Sequence, residues 1–475
     1  MGSDFLEYMK EVSSDFLEAV GKSSKPIRII GNIDADGITS TSIICKALSR
    51  RDIRYVVSVV KQVNSELLDA LKREEYDVIV FADLATAYLE TLSKEFDKDI
   101  FVLDHHYPEI EEKIIGKVRQ INPHLFNVDG TKEISAAGIS YFFAKSIDEC
   151  NKDMAHLALV GAIGDMQEDC GFVGMNQVIL DDALEGDSVE IKDTLRLFGV
   201  QTKPLHKVLE YSTNPFIPGV TGSERGAIKF VEEAGIELYD KARNVRRLVN
   251  LSKQELAKLV TAIEIKKASG SMAESTVGPV FLLKDEDDDS LKKDLREFST
   301  LLNSCGRMGW PSLGIGVCMG DSSTSDKAND LLREYRKEMI DALNWYYDNK
   351  GTPKVIEKKG YVIILAGSNI RDTIIGTLAS LLAKSKVYPD GTIIMSTAYT
   401  LDGHIKVSLR ITDGFSQGTD LRIIIKDLVD CGGGYGGGHK LAAGASVPQE
   451  KEDLMIREAI SSLGKYVGNK SVAAE

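Results

Sequence analysis

The first 185 residues alternate short apolar runs with helical patterns, and that alternation constrains the fold more than any other feature of the chain. The runs fall at 26–32, 55–60, 77–83, 99–104 and 117–121, and most are continuous stretches of Ile, Val and Phe. Continuous runs of this length suit strands buried on both faces, as in a parallel sheet. Helical periodicity fills the gaps at 38–50, 65–74 and 88–95, and two further helices follow at 135–151 and 153–164. Strand–helix alternation of this kind predicts a doubly wound α/β domain over 1–185.

The rest of the chain is organised differently. Residues 186–324 read as a mainly helical, more polar middle region, with a solvated charged loop at 284–289. A linker helix is expected over 325–350, stopped by Gly351 and Pro353. Strand-like runs at 361–366, 391–396 and 405–411 and a helix near 420–428 predict a second, smaller α/β unit over 355–475. Six glycines between Gly432 and Gly438 read as a loop, because glycine weakens a helix or strand interior. A backbone without Cβ atoms can approach a nucleotide closely and offer its N–H groups to an anion.

Composition narrows the class. With 43% hydrophobic and 27% charged residues the chain is an ordinary globular protein. No apolar run reaches spanning length, so no membrane partner is expected. The acidic, amphipathic start is not the basic-then-apolar pattern of a secretory signal. Six scattered cysteines without a CxxC pair fit a reduced, cytoplasmic protein. Lys and Arg number 58 against 72 Asp and Glu, a net charge of −14, which argues against a generic basic grip on nucleic acid. From Lys354 onward there are 15 Lys and Arg against 13 Asp and Glu, so the acidity lies in the front of the chain.

The acids fall where the strands end. Asp34 and Asp36 follow the first strand, Asp83 closes the third, and Asp104, His105 and His106 close the fourth. Asp165 ends an apolar helical run. The carboxyl ends of parallel strands share one edge, where ligands bind. Carboxylates crowded there repel and lose hydration. Two divalent cations resolve the conflict, and oxygen-rich ligands with some imidazole favour Mn2+ ahead of Mg2+. Such a pair can clamp a phosphate and activate water. For any one acid the competing role is a helix cap, and Asp34 or Asp36 could cap the helix that starts near Ile38. Arg371 and Arg410 are further phosphate candidates, and Tyr435 could stack on a base. The lone His124, His156 and His206 are read as structural.

In that order, Asp-x-Asp-Gly, a strand-end Asp, Asp-His-His and a later Gly-Asp resemble the DHH phosphoesterase superfamily. Within it the chain is similar to the archaeal RecJ-like single-strand nucleases, including the GINS-associated nuclease. The resemblance covers nearly the whole chain. It implies a DHH catalytic domain over 1–185 and a DHH-associated substrate-binding domain over 355–475. It also implies that Asp34, Asp36, Asp83, His105 and Asp165 ligate two metals, with Asp83 bridging. His106 would face the scissile phosphate, and Asp104 would orient an imidazole. Asn32 stands where the family usually has histidine, and a neutral amide oxygen is the weaker ligand. Asn303 and Arg307 match an Asn-x-x-Gly-Arg segment that reaches phosphate. Gly436, Gly437, Gly438 and His439 match the glycine-rich signature that holds the substrate strand. The implied activity is a metal-dependent exonuclease on single-stranded DNA or RNA in replication or repair. Two alternatives stand beside it: a phosphodiesterase of short oligonucleotides or cyclic dinucleotides, and a weakly active scaffold bound to the GINS complex.

Overall fold

The computed structural model describes residues 2–168, 171–212, 217–267, 277–385, 387–412 and 420–472. The strands are β1 (Ile27–Asn32), β2 (Tyr55–Val60), β3 (Val78–Ala82), β4 (Asp99–Leu103), β5 (Ile114–Ile115), β6 (Val118–Ile121), β7 (Val189–Leu195), β8 (Val277–Leu283), β9 (Val355–Lys358), β10 (Tyr361–Leu365), β11 (Ile393–Tyr399), β12 (His404–Ile411), β13 (Tyr435–His439) and β14 (Ala442–Pro448). The helices are α1 (Ser3–Lys22), α2 (Ala35–Ser49), α3 (Ser65–Arg73), α4 (Leu89–Glu95), α5 (Ala136–Ile147), α6 (Ala155–Gly164), α7 (Gly174–Glu185), α8 (Leu205–Glu210), α9 (Glu224–Glu233), α10 (Lys253–Lys267), α11 (Leu295–Arg307), α12 (Pro311–Met319), α13 (Ser322–Asn349), α14 (Asp372–Lys384), α15 (Leu421–Gly432) and α16 (Glu452–Val472). They form two compact units: 1–205 with 243–256 and 272–332, and 206–242 with 257–271 and 333–475.

The first unit is built on a six-stranded sheet in the order β2-β1-β3-β4-β6-β5. Its ladders are parallel except for the short β5–β6 pair. Every residue of β3 is buried, as the continuous apolar run required. Ile30, Ile79, Phe81, Ile100 and Val102 pack with Leu68, Leu71, Leu89 and Leu92 of α3 and α4. Phe101 of β4 meets Phe16 of α1 edge-on at 5.2 Å, and Phe16 in turn meets Phe143 of α5 at 5.3 Å. Gly31 pairs with Ala82 and Ala82 with Leu103, so β1, β3 and β4 end level with one another. The helix expected over 135–151 stops at Ile147, and a 3-10 turn over Glu149–Met154 leads into α6. The middle of the chain also carries a two-stranded antiparallel sheet, β7–β8.

The second unit has the sheet order β13-β14-β12-β11-β10-β9. Leu421, Ile424, Ile425 and Leu428 of α15 and Met455, Ala459 and Leu463 of α16 join Val407, Leu409, Ala443, Ala445 and Val447 in its core. One sequence expectation is corrected here. The glycine run is not wholly a loop: Tyr435–His439 form β13, paired antiparallel with β14. An edge position tolerates glycine, and close packing requires it, since a Cβ on Gly436 would lie 2.5 Å from Ile425 and 3.0 Å from the Gly444 carbonyl.

Candidate metal centre

The site grows from the level ends of β1, β3 and β4. After β1 the chain turns into α2 with Asp34 as N-cap, its Oδ1 accepting from the Gly37 N–H at 3.0 Å. The capping role foreseen for this acid is therefore real. Asp36, in the first turn of α2, is 1% exposed. Its carboxylate accepts from Ala136 N (2.8 Å) and Ala137 N (2.9 Å) at the start of α5, so a helix N-terminus fixes it. Asp83 leaves β3 with φ +64, a conformation Asp adopts more readily than most residues. Among the described residues its Oδ1 is buried and accepts no hydrogen bond, and it faces His105 Nε2 at 3.4 Å. Asp165 caps the C-terminal end of α6.

His105 draws these groups together. Its Nδ1 lies 2.6 Å from the Gly130 carbonyl, which can only accept, so Nδ1 carries the proton. Its Nε2 then faces Asp165 at 3.1 Å, Asp83 at 3.4 Å and Asp36 at 3.8 Å. Asp36, His105 and Asp165 form one group with metal-ligand spacing, and Asp83, His105 and His106 form another. His106 Nδ1 lies 2.7 Å from Asp104 Oδ1, and the other oxygen of Asp104 accepts from Thr86 N at 3.1 Å. Asp104 thus orients the imidazole of His106.

The electrostatics match this crowding. Burial and the charge of Asp165 push the Asp36 carboxyl up to about 7. Burial, then the charge of Asp34, raises Asp83 well above the usual carboxylate range. Asp34 is raised by burial and Asp165, against the opposing pull of Gly37 and the nearby Arg307 guanidinium. The charge of Asp104 lifts His106 to about 9. Burial alone would raise Asp104, but the two imidazoles outweigh it and hold that carboxyl well below the usual range. Several buried carboxylates that resist ionisation around one imidazole nitrogen, one with a partnerless oxygen, fit a divalent-cation centre.

The other sequence candidates fare unequally. Asn32 uses its Oδ1 on the next backbone N–H, Ile33, at 2.6 Å. Asn303 accepts from Ala35 N at 3.1 Å, so its oxygen secures the start of α2. Arg371 is held bidentately by Glu338 at 3.0 and 2.8 Å. Arg410 donates to Ser380 Oγ at 2.9 Å. In register Arg410 lies opposite Ala442, and Ala442 opposite His439, so these backbones are aligned across β12, β14 and β13. Gly437 in the same strand has open space where a Cβ would stand. Sequence reading missed the glycines that bring elements to the site. A Cβ on Gly161 would sit 2.5 Å from Asp36 Oδ1, and one on Gly306 would overlap the Ile33 carbonyl oxygen. It also missed Gln167, Glu168 and Asn176, and it did not see that His124 Nε2 lies 3.1 Å from the His105 carbonyl.

Comparison with known proteins follows the same lines. Three family models match in sequence order: the DHH family N-terminal domain over 26–162, the DHH-CID domain over 197–278 and the DHHA1 domain over 359–465. An uncharacterized protein of Methanocaldococcus jannaschii is 28% identical over 472 residues, covering 97% of this chain and 99% of that one. The single-stranded-DNA-specific exonuclease RecJ of Bacillus subtilis is 28% identical over 170 residues, 33% of this chain and 21% of its own length. CDC45 of Entamoeba histolytica shares the fold with a TM-score of 0.67 at 12% identity, over 96% of this chain and 99% of that one. Thermus thermophilus RecJ, solved with Mn2+, gives a TM-score of 0.57 at 16% identity over 96% of this chain and 55% of RecJ. Its Mg2+ complex gives 0.52 at 15% identity, over 96% of this chain and 52% of RecJ. With the three domains in order and the strand-end acids in place, the chain is a RecJ-like member of the DHH superfamily.

Proposed function

We propose that this chain is a divalent-cation-dependent phosphodiesterase that degrades single-stranded nucleic acid from an end. One observation carries the reading: His105 Nε2 faces three carboxylates, one with a buried, partnerless oxygen. Membership of the DHH superfamily supports a phosphoesterase or nuclease, and the name of the Bacillus subtilis relative supports a single-stranded substrate. Asp34, Asp36, Asp83, His105 and Asp165 hold the ions, Mn2+ ahead of Mg2+. When bound, the ions supply Lewis acidity at a phosphoryl oxygen and lower the pKa of water. Asp104 keeps His106 protonated, so its Nε2–H donates to a phosphate oxygen or to the departing alkoxide. Tyr107 and Trp310, 79% and 58% exposed, follow closely on His106 and Arg307 and offer faces on which unpaired bases stack. In the second unit the glycines Gly436–Gly438 of β13 let a nucleic-acid backbone approach closely.

The test is an end-labelled time course on single-stranded DNA and RNA with Mn2+, Mg2+ or chelator. Processive, metal-dependent shortening is expected, together with its loss in Asp83→Ala. Undiminished cleavage by that variant would refute the ligand assignment. Comparing turnover of a dinucleotide with that of a long strand separates the small-substrate reading. A second reading, a scaffold for the GINS complex in DNA replication, is favoured by the full-length fold likeness to CDC45 and by Asn32 in place of histidine. Pull-down with GINS subunits, run beside the nuclease assay, decides between them.

A further inference from the structure

We infer that Gln167 ties Asp165 to His105 through a single backbone carbonyl, that of Gly130, and that Asn176 holds Gln167 in place for this. The inference rests on the divalent-cation reading and adds two positioning residues to it. Gln167 is two residues beyond Asp165 and only 5% exposed. Its Nε2 donates to the Gly130 carbonyl at 2.9 Å and to the Ile134 carbonyl at 3.3 Å. The Gly130 oxygen is also the one that fixes His105 Nδ1, at 2.6 Å. A carbonyl oxygen has two lone pairs, and here both are committed to the site.

The amide orientation is determined. Gly130 and Ile134 carbonyls only accept, so the side of Gln167 that meets them must be its NH2. Its Oε1 then points the other way, where Asn176 Nδ2 donates at 2.7 Å. Asn176, on α7, is fully buried. The relay therefore runs Asn176, Gln167, Gly130, His105. Gly130 cannot carry a side chain, because a Cβ there would overlap the His105 carbonyl oxygen. Between Asp165 and Gln167 the backbone turns through Met166 at φ +58. A turn in that region is held only if the chain beyond it is anchored. Gln167 is one anchor. Glu168 is the next, gripped by Arg296 at 2.5 and 2.6 Å and by Arg196. The same carbonyl thus fixes the ring of one ligand and the loop that presents another.

The test uses the full chain and Mn2+ alone, with binding read by electron paramagnetic resonance of the free ion. Gln167→Met keeps the volume and removes the donor. Asn176→Asp keeps the shape, removes the donation to Oε1, and lies one step farther from the ions. Each is expected to weaken Mn2+ binding roughly 10–100-fold, the usual effect of losing an outer partner of a ligand. Because they act in series, the double variant should bind no worse than the weaker single variant. Wild-type affinity in Gln167→Met and Asn176→Asp, or losses that multiply in the double variant, would overturn the relay while leaving the metal reading intact. Absence of Mn2+ binding by the wild-type chain would overturn both.

Discussion

Asp83→Asn should make the chelator-treated protein more stable and the Mn2+-loaded protein less so. Asp83 Oδ1 and Asp36 Oδ2 lie 3.4 and 3.8 Å from the same imidazole nitrogen. They are therefore within roughly 7.2 Å of each other, where two unit charges at an effective dielectric of about 20 repel by about 2 kcal/mol. Asparagine removes that repulsion and the cost of burying a charge, or, where Asp83 escapes both by holding a proton, the cost of that uptake above its unfolded pKa. It also tolerates φ +64 as well as aspartate does, so the backbone adds no penalty. No hydrogen bond among the described residues is lost at Oδ1, and an amide there still faces His105 Nε2. A gain of about 2 kcal/mol should raise the melting temperature of the first unit by roughly 4–8 °C in EDTA. Mn2+ at about 100 times its Kd should stabilise the wild type by about 2.7 kcal/mol and the variant hardly at all. The assay is a pair of thermal melts, with EDTA and with Mn2+, for each protein. A variant that melts lower in EDTA, or that gains as much from Mn2+ as the wild type, would refute the charge-crowding argument.

Three further outcomes are expected. The Asp36 carboxyl rises from 3.8 unfolded to about 7 folded, so its proton favours the folded state. Without metal, stability should fall as pH climbs from about 4 to about 7, by up to about 4 kcal/mol from this group, of which about 2 kcal/mol lies between melts in EDTA at pH 5.5 and 8.5. Gly306→Ala should cost about 1–3 kcal/mol and weaken Mn2+ binding, because its methyl must displace the Ile33 carbonyl beside Asp34; urea unfolding with a metal titration reads both. Gly437→Ala should leave the melting temperature unchanged, since its Cβ meets open space, yet weaken single-strand binding several-fold in a fluorescence-anisotropy titration. Unaltered binding would remove close backbone approach at β13 from the reading.

What the sequence made legible follows from how parallel sheets work. Asp83 and His105 could be placed because continuous apolar runs mark buried parallel strands, whose carboxyl ends share an edge. Asp34 was readable both as ligand and as cap, and its bond to Gly37 shows that one oxygen already caps. The loop expected over 432–438 gives way to strand from Tyr435 because glycine content reports backbone freedom, whereas the strand depends on a partner, β14, and on Ile425 packing against Gly436. Gln167, and the bond by which Asn303, a phosphate candidate in the sequence, secures Ala35, escaped for a different reason. Their partners lie 37 and 268 residues away in the chain, and no local pattern encodes such a bond. Arg371, a phosphate candidate in the sequence, is paired with Glu338, 33 residues away in the chain.

Strand β13 carries a cost for the fold that supports it. Gly436, Gly437 and Gly438 each surrender about 0.5–1 kcal/mol more backbone entropy on ordering than alanine would. Among the described residues the strand has a neighbour on one side only, β14. It is therefore the hem of the second sheet and the first part to peel away, and its amides exchange with solvent long before those of β11, where six of seven residues are buried.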